Sequence, residues 1–284
     1  MTDSGLSADL RRVLDREPFD LPRAALVIAR LEYPQLEVER PLETLAELGR
    51  RAADRFETLG DRPIRARISA INQLLFDEER FSGNRAQYDD VRNSLLNVVL
   101  TRKLGIPISL ALIYMEVARR AGLDVRGVAF PGHFLMRVEG GGEPAVVLDP
   151  FDGGAEVDDT ARRALLARHV GEEVPFDPEL LEPCSARHML ARMLNNLKRI
   201  YVEQRFFPQA LAVTDLLLTV DPTILSELRD RGLLAYHLDD YTSALRDLED
   251  FVKLHAWTDE SNKEERDQIW THIKNLRRRV AGFN

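Results

Sequence analysis

The chain has 284 residues, 44% of them hydrophobic and 30% charged, an ordinary globular composition with room for one large domain or two of average size. Its 39 Lys and Arg against 47 Asp and Glu leave a net charge of -8 without a basic block, which argues against nucleic acid or an anionic membrane as partner. No segment reaches the ~18 uncharged apolar residues of a membrane span. The first twenty residues lack the apolar run of a secretory signal. The single cysteine, Cys184, precludes an internal disulfide and fits a reducing compartment, so a cytoplasmic location is expected. No Cys and His spacing suits zinc and no glycine-rich loop ends in Lys, so no metal or other cofactor is expected.

In chain order, residues 1–20 read as a polar lead-in. Asp20 before Leu21-Pro22 predicts an N-cap with proline in the first turn, and the helix stops before Pro34. Pro41 opens a second helix, with Leu42, Leu45, Leu48, Ala52 and Phe56 spaced by three and four, and Pro63 opens a third through Leu75. FSGNRAQYDD is a loop by composition, and a fourth helix is predicted from about Asp90 to Leu104. Gly105-Ile106-Pro107 breaks it. The next helix, Ser109–Ala121, is apolar nearly all round and is therefore expected at the centre of the core. The period then shortens to two: Val125–Phe130, His133–Val138 and Ala145–Leu148 read as strands, the last two joined through Gly140-Gly141-Gly142.

From about Arg187 the sequence is helical and repeats. Ala210 and Ala244 lie 34 residues apart, the period of a tetratricopeptide repeat. With Ala210 at position 20, Leu194, Leu197, Tyr201 and Pro222 fall on their consensus places; in the next copy Leu228, Gly232, Ala244 and Phe251 do the same. Asp259–Val280 reads as a capping helix. About three repeats are needed to close a continuous core, so two repeats and a cap call for a further packing partner, expected to be the first domain.

Chemistry concentrates between Gly105 and Gly154. Ser109 starts the buried helix, His133 lies on a predicted strand, and Asp149 ends the next apolar run. A hydroxyl, an imidazole and a carboxylate in that order suggest an acyl-transfer triad: Ser109 attacks, His133 shuttles the proton and Asp149 orients the ring. Each has a plainer reading. Ser109 suits a cap, its hydroxyl accepting a backbone N–H. His133 on an apolar face suits a satisfied core histidine, and Asp149 before proline suits a turn opener. Cys184 reads as structural, His188 as incidental, and His169, His237, His255 and His272 as surface residues.

The blocks GIPISLALIYMEVARRAGL, GVAFPGHFLMR and LDPFDGG, followed by the repeats, resemble the bacterial SirB family from about residue 40 onward. The resemblance implies an α+β, transglutaminase-like (papain-like) core of helices and a small antiparallel sheet, with an all-α tetratricopeptide tail. The expected domains are residues 1–183 and 184–284. Catalytic members of the wider superfamily carry a Cys at the start of the buried helix. His133 and Asp149 match the other two positions, but here the Cys position falls among Ile106–Ser109. The missing thiol and the repeats together favour a catalytically silent core with a peptide-binding tail, an interaction or scaffold module whose partner is a protein or peptide. The alternative is a hydrolase or acyltransferase using Ser109, His133 and Asp149 on a peptide-like substrate.

Overall fold

The structure is a computed structural model that describes residues 3–140, 142–254 and 263–282. They fall into two compact units, residues 18–193 and residues 1–17 together with 194–284. The division lies at 193/194, beyond the 183/184 boundary expected from the sequence, and the chain's start groups with its tail. That start is not an irregular lead-in. It is a helix, α1 (Asp3–Leu14), with Leu6, Leu10 and Leu14 four apart and buried on one face.

The 18–193 unit begins with α2 (Leu21–Ile28), capped by Asp20, which accepts the Arg23 N–H at 2.9 Å. The amphipathic α3 (Glu39–Leu59) buries Leu42, Leu45, Leu48, Gly49, Ala52 and Phe56. The predicted third helix is α4 (Ile64–Asn72) running into a π-helical turn, 73–78. The predicted fourth helix is shorter than expected. A 3-10 turn at 91–93 precedes α5 (Leu96–Arg102), which ends where Lys103 turns left-handed at φ +62°. The loop before it holds β1 (Ser82–Gly83), parallel to β2 (Leu104–Gly105).

The central helix α6 (Pro107–Arg120) starts two residues earlier than predicted, because Ile106 rather than Ser109 is its N-cap. It buries Pro107–Tyr114, Glu116, Val117 and Ala118, as the all-round apolar pattern requires. Gly49 of α3 lets that helix lie against it: a Cβ there would sit 2.6 Å from the Arg120 Cβ. The sheet is antiparallel in the order β3 (Val125–Val128), β4 (Leu135–Gly140), β5 (Glu143–Asp149), β6 (Ala155–Glu156). The glycine hairpin joins β4 and β5 with Gly140 opposite Glu143, Gly141 lying outside the described residues. A helix the sequence reading passed over, α7 (Asp159–Val170), is capped by Asp158, which accepts the Ala161 N–H at 2.8 Å. Its Leu166 joins Val128, Phe130, Leu135, Val147 and Leu181 in one apolar cluster. The first half of α8 (Ala186–Glu203) closes this unit.

In the other unit the two predicted repeats are the second half of α8 with α9 (Phe207–Val220), and α10 (Leu225–His237) with α11 (Tyr241–Leu254). Gly232 permits the α10–α11 approach, since a Cβ would meet Leu248 at 2.8 Å, and Ala210 and Ala244 are fully buried. The cap α12 (Lys263–Gly282) adds Ile269, Ile273 and Leu276 to the α10–α11 core. The start of the predicted cap, 259–262, and His255 lie outside the described residues. At the other end of the array α1 packs on α9. The chain's own first helix thus supplies part of the packing that two repeats lack.

Candidate functional site

His133 is not on a strand. Gly132, at φ +68°, turns the chain between β3 and β4, the His133 N–H bonds the Phe130 carbonyl at 3.1 Å, and β4 begins only at Leu135. Glycine is favoured at that φ, and the His169 ring leaves no room there for a Cβ. The β4–β5 register pairs Met136 with Leu148, which brings Asp149, the last residue of β5, next to this turn. The His133 Nε2 and the Asp149 Oδ2 are 3.0 Å apart, with side-chain exposures of 11% and 17%. Oδ1 of the same carboxylate accepts the Phe151 N–H at 2.8 Å and opens the 3-10 turn at 150–152. Asp149 therefore does both things its sequence position suggested, opening a turn and holding a histidine. With Nε2 committed to Asp149, Nδ1 is the ring nitrogen left for another partner.

Ser109 is elsewhere in hydrogen-bonding terms. It is the third residue of α6 and fully buried. Its Oγ accepts the Ile106 N–H at 3.1 Å and donates to the Asn93 carbonyl at 2.7 Å. Gly105 leaves room for it, since a Cβ there would come within 2.7 Å of Oγ. The carbonyl it holds belongs to a buried knot. Asn93 Nδ2 donates to the Gln87 and Tyr88 carbonyls, and Asn84 Nδ2 donates to Asn93 Oδ1 at 3.0 Å. Ser109 thus pins the 84–93 loop to the start of the central helix. Of the three expected site residues the fold pairs His133 with Asp149 and turns Ser109 toward backbone. Among the described residues no hydroxyl or thiol bonds the His133 ring.

Around the pair, Phe151 meets the His133 ring edge-on and His169 stacks beside it, both at 6.3 Å between centroids. His169 is exposed, as its sequence context suggested, yet packs over Gly132, where a Cβ would come within 2.5 Å of its ring. Partial burial pushes its pKa below the usual imidazole value, helped by the neighbouring His133, Arg168 and Arg192. Arg192 of α8 donates from Nη2 to the His133 carbonyl at 2.5 Å and lies over the Phe134 ring. Sequence reading had no handle on Arg192, which comes from outside the Gly105–Gly154 stretch. Cys184 is half-buried, its N–H bonds the Gly127 carbonyl at 2.8 Å, and burial pushes its thiol pKa up. A buried, protonated thiol is a poor nucleophile. Among the described residues no cluster of three His, Cys, Asp or Glu side chains could hold a metal ion, and no helix is long and apolar enough to cross a membrane.

The transglutaminase-like superfamily model matches residues 37–195, and a tetratricopeptide repeat model matches 197–276. The chain is 38% identical over 250 residues to a UPF0162 protein of Xylella fastidiosa, covering 86% of this chain and 87% of that one. It is 26% identical over 224 residues to protein SirB1 of Salmonella typhimurium, covering 79% and 81%. F-box only protein 21 of Mus musculus is 33% identical over 183 residues, which span 60% of this chain but 28% of that protein. A buried central helix, a small antiparallel sheet carrying a His–Asp pair and a repeat tail agree with these matches, and the chain belongs to the transglutaminase-like superfamily, in the SirB-type family, with a tetratricopeptide tail.

Proposed function

We propose that this protein is an interaction module: its transglutaminase-like domain performs no acyl transfer, and its tetratricopeptide tail takes a peptide or protein partner, in the cytoplasm. One observation carries the first half. The only hydroxyl at the start of the central helix is fully buried and spends its hydrogen bonds on the Ile106 and Asn93 backbone. To serve as a nucleophile Ser109 would have to leave both, unpinning the 84–93 loop and stranding a buried N–H and carbonyl, at about 1–3 kcal/mol for each. The alternative, a hydrolase or acyltransferase with a Ser109, His133 and Asp149 triad, requires that rearrangement.

The second half is supported by an open stripe on α8. Asn195, Arg199 and Val202 are exposed at i, i+4 and i+7, and stacked repeats present such helices as extended binding surfaces. A photo-cross-linking residue placed at 195, 199 or 202 of the full chain should capture a discrete partner in cells, while one at the exposed Arg65 of the other unit should not. Equal capture from both places, or from neither, defeats the proposal.

A further inference from the structure

Arg192, like Arg67, is a part-buried arginine with no carboxylate partner among the described residues. Arg102, Arg162 and Arg231 each end on a carboxylate, at 3.3, 2.8 and 3.0 Å. Arg192 has no carboxylate within salt-bridge distance among the described residues. It has one backbone carbonyl, of His133, and one aromatic face, of Phe134. A guanidinium is a fork of five N–H donors built for planar oxyanions, and one Nη2 bond leaves most of the fork unused. A part-buried cation without a counter-charge is costly unless something supplies it. The carboxylates at the end of β5 and in the 3-10 turn after it are engaged. Asp149 is held by His133 and by the Phe151 N–H, and Asp152 pairs with Arg85 at 3.0 Å. The titratable groups that feel or touch Arg192 include His169, His133, Tyr88 and Cys184, none of them a carboxylate.

We infer that the His133 turn and Arg192 together form an oxyanion-binding site, in which Arg192 takes a carboxylate or phosphate group of a ligand beside the clustered His133, His169 and Phe151 rings. This goes beyond the interaction role proposed for the tail. It gives the transglutaminase-like domain a binding task that needs no nucleophile, and it rests on none of the tail's residues. His133 serves as a platform: its turn presents the carbonyl that orients the guanidinium, and Asp149 holds the turn through the ring.

The test is an NMR titration of the full chain at pH 7 with sodium acetate and, separately, inorganic phosphate, against sodium chloride at matched ionic strength. The expected result is saturable shifts of the Arg192 Nε–Hε signal and of the His133 and His169 Cε1–Hε1 signals. Arg192→Gln should raise the half-saturating concentration by about tenfold or more, since it removes a charge-assisted contact. Arg126→Gln, at an exposed arginine paired with Asp124, should leave it unchanged. Saturation by acetate alone identifies a carboxylate ligand, by phosphate alone a phosphate ligand, and by both a general oxyanion site. Should Arg192→Gln not fold, Arg192→Lys, which keeps the charge and loses the fork, must weaken binding. Absence of saturable shifts with either anion, or a wild-type titration in the Arg192 variants, overturns the inference.

Discussion

Replacing His133 by leucine should destabilise the 18–193 unit even though it removes a polar group from a largely buried place. The reason is the partner left behind. Asp149 is 17% exposed and has two interactions, the His133 ring at 3.0 Å and the Phe151 N–H at 2.8 Å. His133→Leu removes the first and leaves a carboxylate oxygen facing an isobutyl group, at about 1–3 kcal/mol. Asp149→Asn keeps an acceptor for Phe151 and removes the charge, so it should cost less, about 1 kcal/mol. In the double variant no stranded carboxylate remains, and its cost should fall short of the sum of the singles by about 1 kcal/mol. Trp270, in α12, reports on the other unit, and Trp257 lies outside the described residues. The appropriate assay is native-state hydrogen exchange of the β4 and β5 amides, which gives an opening free energy for the sheet itself. Single effects that add to within about 0.5 kcal/mol would show that His133 and Asp149 are uncoupled, and the reasoning would fail.

Other outcomes follow from the same geometry. Ser109→Ala should cost about 1–3 kcal/mol and speed exchange in the 84–93 loop, because the Asn93 carbonyl loses its donor. Ser109→Cys should not create a reactive thiol: iodoacetamide on the folded chain should modify that position no faster than the half-buried Cys184. Leu10→Ala should lower the tryptophan-monitored stability of the tail by about 2–5 kcal/mol, since Leu10 is fully buried on the helix that packs against α9. The folded pKa of His169 lies below the ordinary 6.5, chiefly through burial. Its neutral form is therefore favoured by folding, and stability should fall as pH drops through about 6.5, levelling off below the folded pKa. His169→Gln should flatten thermal midpoints measured between pH 7.5 and 5.5. Unchanged slopes would mean that neither burial nor the neighbouring charges act on this ring.

Much of the fold was readable from period alone. The all-round apolar run Ile108–Ala118 could only be a central helix, and the small residues Ala210, Gly232 and Ala244 marked the repeat register, with Gly232 meeting Leu248 as that register demands. His133 and Asp149 were legible as a pair because a glycine hairpin joins β4, which begins two residues after His133, to β5, which ends on Asp149. What was missed has local causes. The α1 helix has its leucines four apart but no proline to announce its first turn, and its partner α9 is nearly two hundred residues away. The predicted fourth helix ran through Asp90–Leu104 on apolar spacing, whereas Asn93 and Asn84 use their amides to build a loop there. Ser109 read equally as cap and nucleophile, because the sequence places a hydroxyl at a helix start but cannot show that the Asn93 carbonyl, sixteen residues back, receives its proton. The same holds for Arg192, brought to the His133 turn by tertiary packing from 59 residues away.

The central claim is that the transglutaminase-like domain keeps a His–Asp pair without a nucleophile to serve. Incubating the folded full chain with a fluorophosphonate probe and mapping adducts by mass spectrometry tests this most directly. The account predicts no adduct on Ser109, in the wild type and in Asp149→Asn alike. An adduct on Ser109 that forms in the folded wild type and disappears in His133→Leu would contradict it and establish the triad.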